Sequence, residues 1–388
     1  MRTSAIICEY NPFHKGHKIQ IDRLKQKGHG IVCIMSGGFV QRGLPSIFNK
    51  YKRAETAIKC GADLVLELPY PYCCSPAEFF AFGGVSIAND LGIVDELCFG
   101  SECGDIRLLE KTSERLMSDF FADTMLKARQ NRINSIKPYA VLREELYKAV
   151  YNEDLPVKPN DILGIEYITA LKKLESNIIP TTYKRESGYS ATEARRLISE
   201  ENCFDFVPEK IREDLENADR YYLKNAEKSV LSFYRNADIG SLGKCAEMTD
   251  GIAERLVKYS KSATNLSEFI ENVSAKSYTN AKINRCIING MCGVTPDLLK
   301  EKPAYTQVLG LNETGRKLLK TAQKNDKIKI LTKPSHYKKL ENPAFKQACL
   351  SNYVDTALTL ICDSPKPADY FLKMTPYIQK QTLHEKYV

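Results

Sequence analysis

Two kinds of segment alternate along the first half of the chain. Short apolar runs bounded by Gly, Pro or Ser read as buried strands, and longer stretches with apolar residues three and four apart read as helices. Ala5–Glu9 is the first strand, and Gly16–Lys27 follows as a helix with Ile19 and Leu24 on one face. "GIVCIM" (30–35) is a second strand, stopped by Ser36-Gly37-Gly38, and a helix over about 49–60 closes at Gly61. "ADLVLELP" gives a third strand ended by Pro69, residues 77–91 a helix, and "VDELCFGSE" a fourth strand ending in Gly100-Ser101-Glu102. Strands alternating with helices predict right-handed βαβ units on a parallel sheet, hence an α/β fold. In such sheets ligands sit beyond the carboxyl ends of the strands. The loops after the four strands therefore converge on one edge.

Residues 105–150 read as charged helices, 158–174 as a helix with an Asn-Asp start, "IIPTTYKR" as a strand and "SATEARRLISE" as a further helix. From about 205 the period is helical almost throughout. We therefore expect two domains, 1–204 and a mostly α-helical, basic 205–388, with the boundary near 200–208, before Pro208. The length of 388 residues supports the division, since single cores stop growing at about 250–300 residues.

Charge sharpens this picture. Of the net +8, residues 205–388 carry 29 Lys and Arg against 22 Asp and Glu, whereas residues 1–204 carry 27 against 26. An excess confined to one half points to a polyanion such as RNA, although a basic surface also serves solubility. Thirteen scattered cysteines include no Cys-x-x-Cys pair, which predicts reduced thiols and no structural metal. No run reaches the about 18–20 apolar residues of a membrane helix, and Met1-Arg2 leads straight into a strand pattern without signal-peptide features. A cytoplasmic protein with no membrane partner is expected.

The candidate chemistry lies after the first strand. Only five histidines occur, and two stand three apart in "EYNPFHKGHK" (9–18). A helix N-terminus offers unpaired N–H groups and a positive dipole end to phosphate. His14 and His17, at i and i+3, point the same way there, and Gly16 lets a flat ligand approach the backbone. Two imidazoles beside an α-phosphate would stabilise the negative charge that grows as pyrophosphate is displaced. Capping or surface histidines are the plainer reading of such a pair. No Walker-type Gly-x-x-x-x-Gly-Lys-Ser/Thr and no strand-linked Gly-x-Gly-x-x-Gly is present, which disfavours a P-loop enzyme or dinucleotide oxidoreductase.

His-x-Gly-His in this position resembles the signature of the nucleotidyltransferase superfamily that includes class I aminoacyl-tRNA synthetases and small adenylyltransferases. "YSATEARR" (189–196) is similar to that superfamily's Ser-x-Thr-x-x-Arg motif. The resemblance implies a Rossmann-like domain in which Ser190 and Thr192 contact the triphosphate and Arg195 neutralises the pyrophosphate leaving group. The same residues also make a good helix N-cap. "CEYNPFHKGH", "MSGGFVQRG", "GADLVLELP", "CFGSE", "PNDILGIEY" and "YSATEAR" together resemble the tRNA(Met) cytidine acetate ligase family, with weaker similarity to about residue 320 through "KSYTNAKINR" and "YTQVLGLNETGRKLL". That resemblance implies ATP with Mg²⁺, activation of acetate as acetyl-adenylate, and acetylation of N4 of the wobble cytidine of elongator tRNA(Met), releasing AMP and pyrophosphate.

It also implies roles for residues. His14, His17 and Arg195 are the catalytic expectation. Ile7, Glu9, Tyr10, Asn11, Pro12, Phe13, Lys15, Gly16 and Gln20 would join the histidines around ATP, with Gly100, Asn160 and Arg185. Gln41, Arg42, Gly43, Lys50, Ser101 and Glu102 are further pocket candidates, although "SGG" and "QRG" are good turn chemistry in any case. Apart from the resemblance, the positive excess beyond residue 204 makes Lys282, Arg285, Arg316, Lys317 and Lys320, on predicted helices, the candidate tRNA surface. The chain departs from the family pattern in the short 186–189 segment and at Asn280, Ala281 and Gln307, where basic or hydroxylic residues are expected. Two other readings remain open on the residues alone: an adenylyltransferase for a small phosphorylated substrate, or a non-catalytic RNA-binding protein on a nucleotide-binding fold.

Overall fold

The computed structural model describes residues 1–130, 139–185, 190–249, 251–274 and 278–380. The 186–189 segment lies outside the described residues. Five strands come first in the chain: β1 (Thr3–Cys8), β2 (Gly30–Ser36), β3 (Leu64–Leu68), β4 (Glu96–Ser101) and β5 (Ile179–Lys184). They lie parallel in the order β5-β4-β1-β2-β3. The register pairs Cys8 with Met35, Ser36 with Leu68 and Ser101 with Lys184, so the strands finish along one edge. β2 and β3 are buried along their whole length. That is why their sequences are continuous apolar runs without the alternation of a one-sided sheet. β5, at the end of the sheet, is only half-buried and correspondingly mixed in composition.

Helices cover the sheet: α1 (Lys15–Gln26), α2 (Lys50–Lys59), α3 (Ala77–Leu91), α4 (Ile106–Met117), α5 (Asp119–Gln130), α6 (Tyr139–Tyr151), α7 (Pro159–Lys173) and α8 (Ala191–Arg196). The α2 start is set by Asn49, whose side chain accepts from the Lys52 N–H at 2.9 Å. Phe121, Met125, Leu142, Tyr147 and Leu155 form a small separate core under α5 and α6. No helix among the described residues is long and apolar enough to cross a membrane, and all thirteen cysteines are free thiols.

Beyond residue 204 the longer helices are α9 (Glu227–Asn236), α10 (Ile252–Ser260), α11 (Leu266–Val273), α12 (Asn280–Cys292), α13 (Glu313–Ala322) and α14 (Ala344–Ile361). This half is nevertheless not free of strands, contrary to the helical period of its sequence. β6 (Tyr305–Leu311) runs antiparallel to β3, pairing Leu64 with Leu311 and Leu66 with Val308, and β7 (Lys329–Leu331) and β8 (Tyr377–Ile378) pair with β6. "YTQVLGL" is fully buried and rich in β-formers, a seven-residue strand that the flanking helical periods conceal. The main hydrophobic core is one cluster that includes Ala5 and Phe371, so residues on both sides of position 204 share it.

Candidate active site at the carboxyl edge of the sheet

The chain leaves β1 through Tyr10, whose φ of +46° turns it sharply into α1. His14 is the N-cap of that helix. Its Nδ1 accepts from the Gly16 N–H at 3.1 Å, and the His17 Nδ1 accepts from the His14 N–H at 3.2 Å. The pair therefore caps the helix, as the plainer reading has it, and the capping decides its chemistry. With each Nδ1 an acceptor, the neutral ring carries its proton on Nε2 and has an N–H to donate. The two rings stack at 3.6 Å between centroids, tilted by 19°, as the i, i+3 spacing predicts. Tyr10 and Phe13 pack on His17 at 4.8 and 5.6 Å between ring centroids. Burial, and then the positive charge of Arg185, hold the His14 imidazole down at about pKa 4. Burial, His14 and Arg185 hold His17 well below the ordinary value. Both rings are neutral donors at neutral pH.

Cations also hold the loops on either side. Arg195, on α8, donates from Nη1 to the Asn11 carbonyl at 2.8 Å and from Nη2 to Thr192 Oγ1 at 3.2 Å, tying the late helix to the loop after β1. Ser190 caps α8 by accepting from the Glu193 N–H at 3.5 Å, while Ser190 and Thr192 remain exposed. Burial lowers the Arg195 pKa, which Glu9 raises and the nearby charge of Arg42 lowers further. Glu9 accepts from the Gln41 N–H at 2.9 Å, and its carboxyl is pushed up by burial. Arg42, Arg185 and Arg195 together give a site biased toward a multiply charged anion.

The β4 end is built as a reciprocal lock. Glu102 accepts from the Asn160 N–H at 3.1 Å, the Asn160 side-chain amide at 2.6 Å and the Asp161 N–H at 3.0 Å. Asp161 in turn accepts from the N–H groups of Glu102 and Cys103 at 2.8 and 3.0 Å. Ser101 Oγ accepts from the Gly104 N–H at 3.0 Å, and its carbonyl receives the Arg185 N–H at 2.9 Å. Gly100 has no room for a side chain, since a Cβ would stand 2.8 Å from Arg185 Cγ. Glycine there lets the arginine lie across the strand end, beside the histidines.

Other expected residues hold the loop from within. Ile7, Tyr10, Asn11, Pro12 and Phe13 are buried, with Asn11 Oδ1 accepting from the Ile47 N–H at 2.8 Å. Gln20 donates to the Cys98 carbonyl at 3.0 Å, and Lys15 points to solvent while its N–H donates to the Phe206 carbonyl at 2.9 Å. Lys50 is committed elsewhere, bonded to Glu67 at 2.8 and 2.9 Å and to Asp355 at 2.7 Å in a buried cluster. Gly43, at φ +73°, presses on the backbone of α12 beside Arg285 and Asn284.

Arg53 was not anticipated. It is 0% exposed, and its guanidinium donates to the carbonyls of Phe48 (3.0 Å), Ser36 (2.9 Å), Glu9 and Gly37. It thus staples the carboxyl ends of β1 and β2. The one signal in sequence is a cation among Tyr51, Ala54, Ala57 and Ile58, the apolar residues of α2.

The five cations expected to face RNA separate. Arg285 is a partner of Glu247 (two bonds at 2.7 Å) and donates to the Gln41 carbonyl at 3.2 Å, so it braces the loop after β2. Lys282 donates to Thr249 at 3.1 Å and lies over the Tyr278 ring. Arg316, Lys317 and Lys320 are exposed on α13, at the opposite edge of the sheet. Of the departures from the family pattern, Gln307 is buried and donates to the Tyr51 hydroxyl at 2.7 Å, Asn280 accepts from Ser274 Oγ at 3.3 Å, and Ala281 is half-buried.

Residues 1–364 match the HIGH Nucleotidyl Transferase family. A tRNA(Met) cytidine acetate ligase of Clostridium perfringens is 35% identical, over 87% of this chain and 91% of that protein. Another, of Acetivibrio thermocellus, is 31% identical over 93% and 95% of the two chains. The crystal structure of Thermotoga maritima TmcAL bound with alpha-thio ATP superposes with a TM-score of 0.90 at 28% identity, covering 97% of this chain and 99% of that one. The apo form of the same protein gives 0.88 at 27%. The chain belongs to the HIGH nucleotidyl transferase family, in its tRNA(Met) cytidine acetate ligase group.

Proposed function

We propose that this chain activates acetate with ATP and transfers the acetyl group to N4 of the wobble cytidine of elongator tRNA(Met). The observation that carries the reading is the stacked, neutral His14–His17 pair at the α1 N-terminus, with Arg185 beside it and Arg195 tied to the same loop at Asn11. Acetate is ionised at neutral pH, so its oxygen attacks the α-phosphorus without a general base. As the new O–P bond forms, the bond to the β-phosphate breaks and pyrophosphate leaves. Charge on the α-phosphoryl oxygens grows, and the Nε2–H groups and the α1 N-terminus stabilise it. Arg195 receives the leaving pyrophosphate. In the second step the cytidine N4 attacks the acetyl carbonyl, its proton is lost to solvent, and AMP departs. That step depends on placing the base.

Mg²⁺ would accompany the nucleotide. No group of three His, Cys, Asp or Glu side chains converges among the described residues, and Glu9 and Glu102 are already bonded to the protein's own N–H groups. The described side chains therefore offer no dedicated cage, and the ion would supply charge stabilisation to the phosphates when bound with the nucleotide. Free thiols throughout and a tRNA substrate are consistent with a cytoplasmic enzyme.

The test is incubation with ATP and radiolabelled acetate, with acetyl-adenylate and pyrophosphate as readouts. His14→Ala and His17→Ala are each expected to lower adenylate formation about 10²-fold or more, the scale of losing one transition-state donor. Undiminished turnover in both variants would overturn the mechanism.

A further inference from the structure

The edge of the sheet opposite the active site brings together charges from the two ends of the sequence. α13 packs there. Leu318 and Met1 close over Gly30, where β2 begins, and Gly315 sits against the Asp63 carbonyl, just before β3. Asn312 caps α13 by accepting from the Gly315 N–H at 2.9 Å, and its own N–H donates to the Asp63 carbonyl at 3.0 Å. With Gly315, Leu318, Leu319 and Ala322 buried, the helix turns Arg316, Lys317 and Lys320 to solvent. Exposed Lys324 follows at its end, and exposed Arg2 and Lys27 arrive from β1 and from the C-terminus of α1. Two carboxylates of this edge are turned inward. Asp63 is 1% exposed and accepts from the Ile31 N–H at 2.8 Å, and Glu96 is 3% exposed and accepts from Ser4 Oγ at 2.7 Å. Asp95, which is exposed, accepts from the Thr3 N–H at 2.7 Å, and Glu313 is half-buried. Asp326, exposed just after α13, is paired with Lys329 at 2.7 Å, so the six exposed cations Arg2, Lys27, Arg316, Lys317, Lys320 and Lys324 leave this edge with an excess of positive charge.

We infer that this edge is a second contact surface for the phosphate backbone of the substrate RNA, away from the base that reacts. The inference rests on the proposed reaction and adds a partner surface to it. α1 is the ruler: its 12 residues run from His14 at the catalytic edge to Lys27 at the basic edge, about 18 Å at 1.5 Å per residue. An RNA whose loop base enters the carboxyl edge carries its adjoining stem over that distance. Lysines and arginines without base-reading partners match the stem's sequence-independent backbone charge. The catalytic edge reads the reacting base, and the amino edge holds the body of the same molecule.

The experiment uses the full chain and two triple variants of equal charge loss. R316Q/K317Q/K320Q alters the patch, and K244Q/K258Q/K261Q alters exposed lysines around α10. Binding of elongator tRNA(Met), and of a single-stranded oligonucleotide holding only its anticodon-loop bases, is titrated across a salt series. Acetyl-adenylate formation is measured without RNA. The patch variant is expected to bind tRNA about tenfold or more weakly, with a salt slope reduced by about two to three, roughly one per lost phosphate contact. Oligonucleotide binding and adenylate formation should match the parent. Equal losses in both triple variants, or a patch variant that binds tRNA like the parent, would overturn the surface. Failure of the parent to make acetyl-adenylate would instead overturn the reaction, and the binding comparison would still read the patch.

Discussion

His14 has two jobs, and a single substitution separates them. Its Nδ1 caps α1 and its Nε2–H is the proposed donor. Asparagine is among the best N-cap residues, whereas alanine at such a position costs about 1 kcal/mol. His14→Asn should therefore unfold at a denaturant concentration close to the parent's while losing adenylate formation as fully as His14→Ala. The pH dependence has a definite sign. In the nucleotide-free protein the His14 value of about 4 lies below the roughly 6.5 of an unfolded chain. Below pH 6.5 the unfolded chain takes the proton first, so stability from the neutral ring is complete above 6.5 and is lost as pH falls toward 4. The loss is at most about 3.5 kcal/mol. Denaturant titrations from pH 7 to 4 should give a flatter decline in His14→Asn than in the parent, and parallel curves would remove His14 from the acid response. The pair was legible in sequence because histidine is rare here and the i, i+3 spacing fixes a common face. Arg53 was not, because its role depends on three carbonyl-bearing loops meeting around α2, which no local pattern announces.

The end of β4 and the start of α7 show the same contrast among elements. Sequence places an Asn-Asp start on the helix, but Lys158 at its N-cap makes no side-chain cap bond. The cap is supplied by Glu102, 58 residues earlier than Asn160. A carboxylate at a helix N-terminus receives both N–H groups and dipole stabilisation. Removing it leaves the Asn160 amide unheld and the first turn of α7 uncapped. Hydrogen bonds to charged groups contribute about 1.5–3 kcal/mol, so Glu102→Ala should weaken binding of a non-hydrolysable ATP analogue about tenfold. Calorimetric titration is the measurement, with Asn160→Ala as the companion. Parent affinity in Glu102→Ala would show that Asn160 needs no orientation to serve the nucleotide. The strands β1 to β4 were readable because buried parallel strands are uninterrupted apolar runs. β6 was missed because it is one strand among helices, and its partner β3 lies some 240 positions away.

Across the whole molecule, the C-terminal half completes the fold that carries the chemistry. β6 covers the edge of β3, with Thr306 Oγ1 donating to the Glu67 carbonyl at 2.6 Å. Asp355, on α14, joins Lys50 and Glu67 inside the core. Burial opposes the Lys50 charge, but Asp355 and Glu67 outweigh it and hold that lysine well above its ordinary value. The two halves therefore share an ion cluster as well as a sheet, which charge asymmetry alone could not disclose. A chain cut after residue 204 tests the consequence. It would strip β6 from β3, whose five residues are all buried, and leave an unpaired apolar strand edge of the kind that recruits other chains. It would also leave Lys50 with one carboxylate where it had two, in a cluster where losing a buried partner is strongly destabilising. The fragment is expected to be aggregated or unfolded by gel filtration and circular dichroism, and to make no acetyl-adenylate. A monomeric, folded fragment that still adenylates acetate would show that the first 204 residues suffice for the site, and that β6 and α14 serve only the acetyl transfer to RNA.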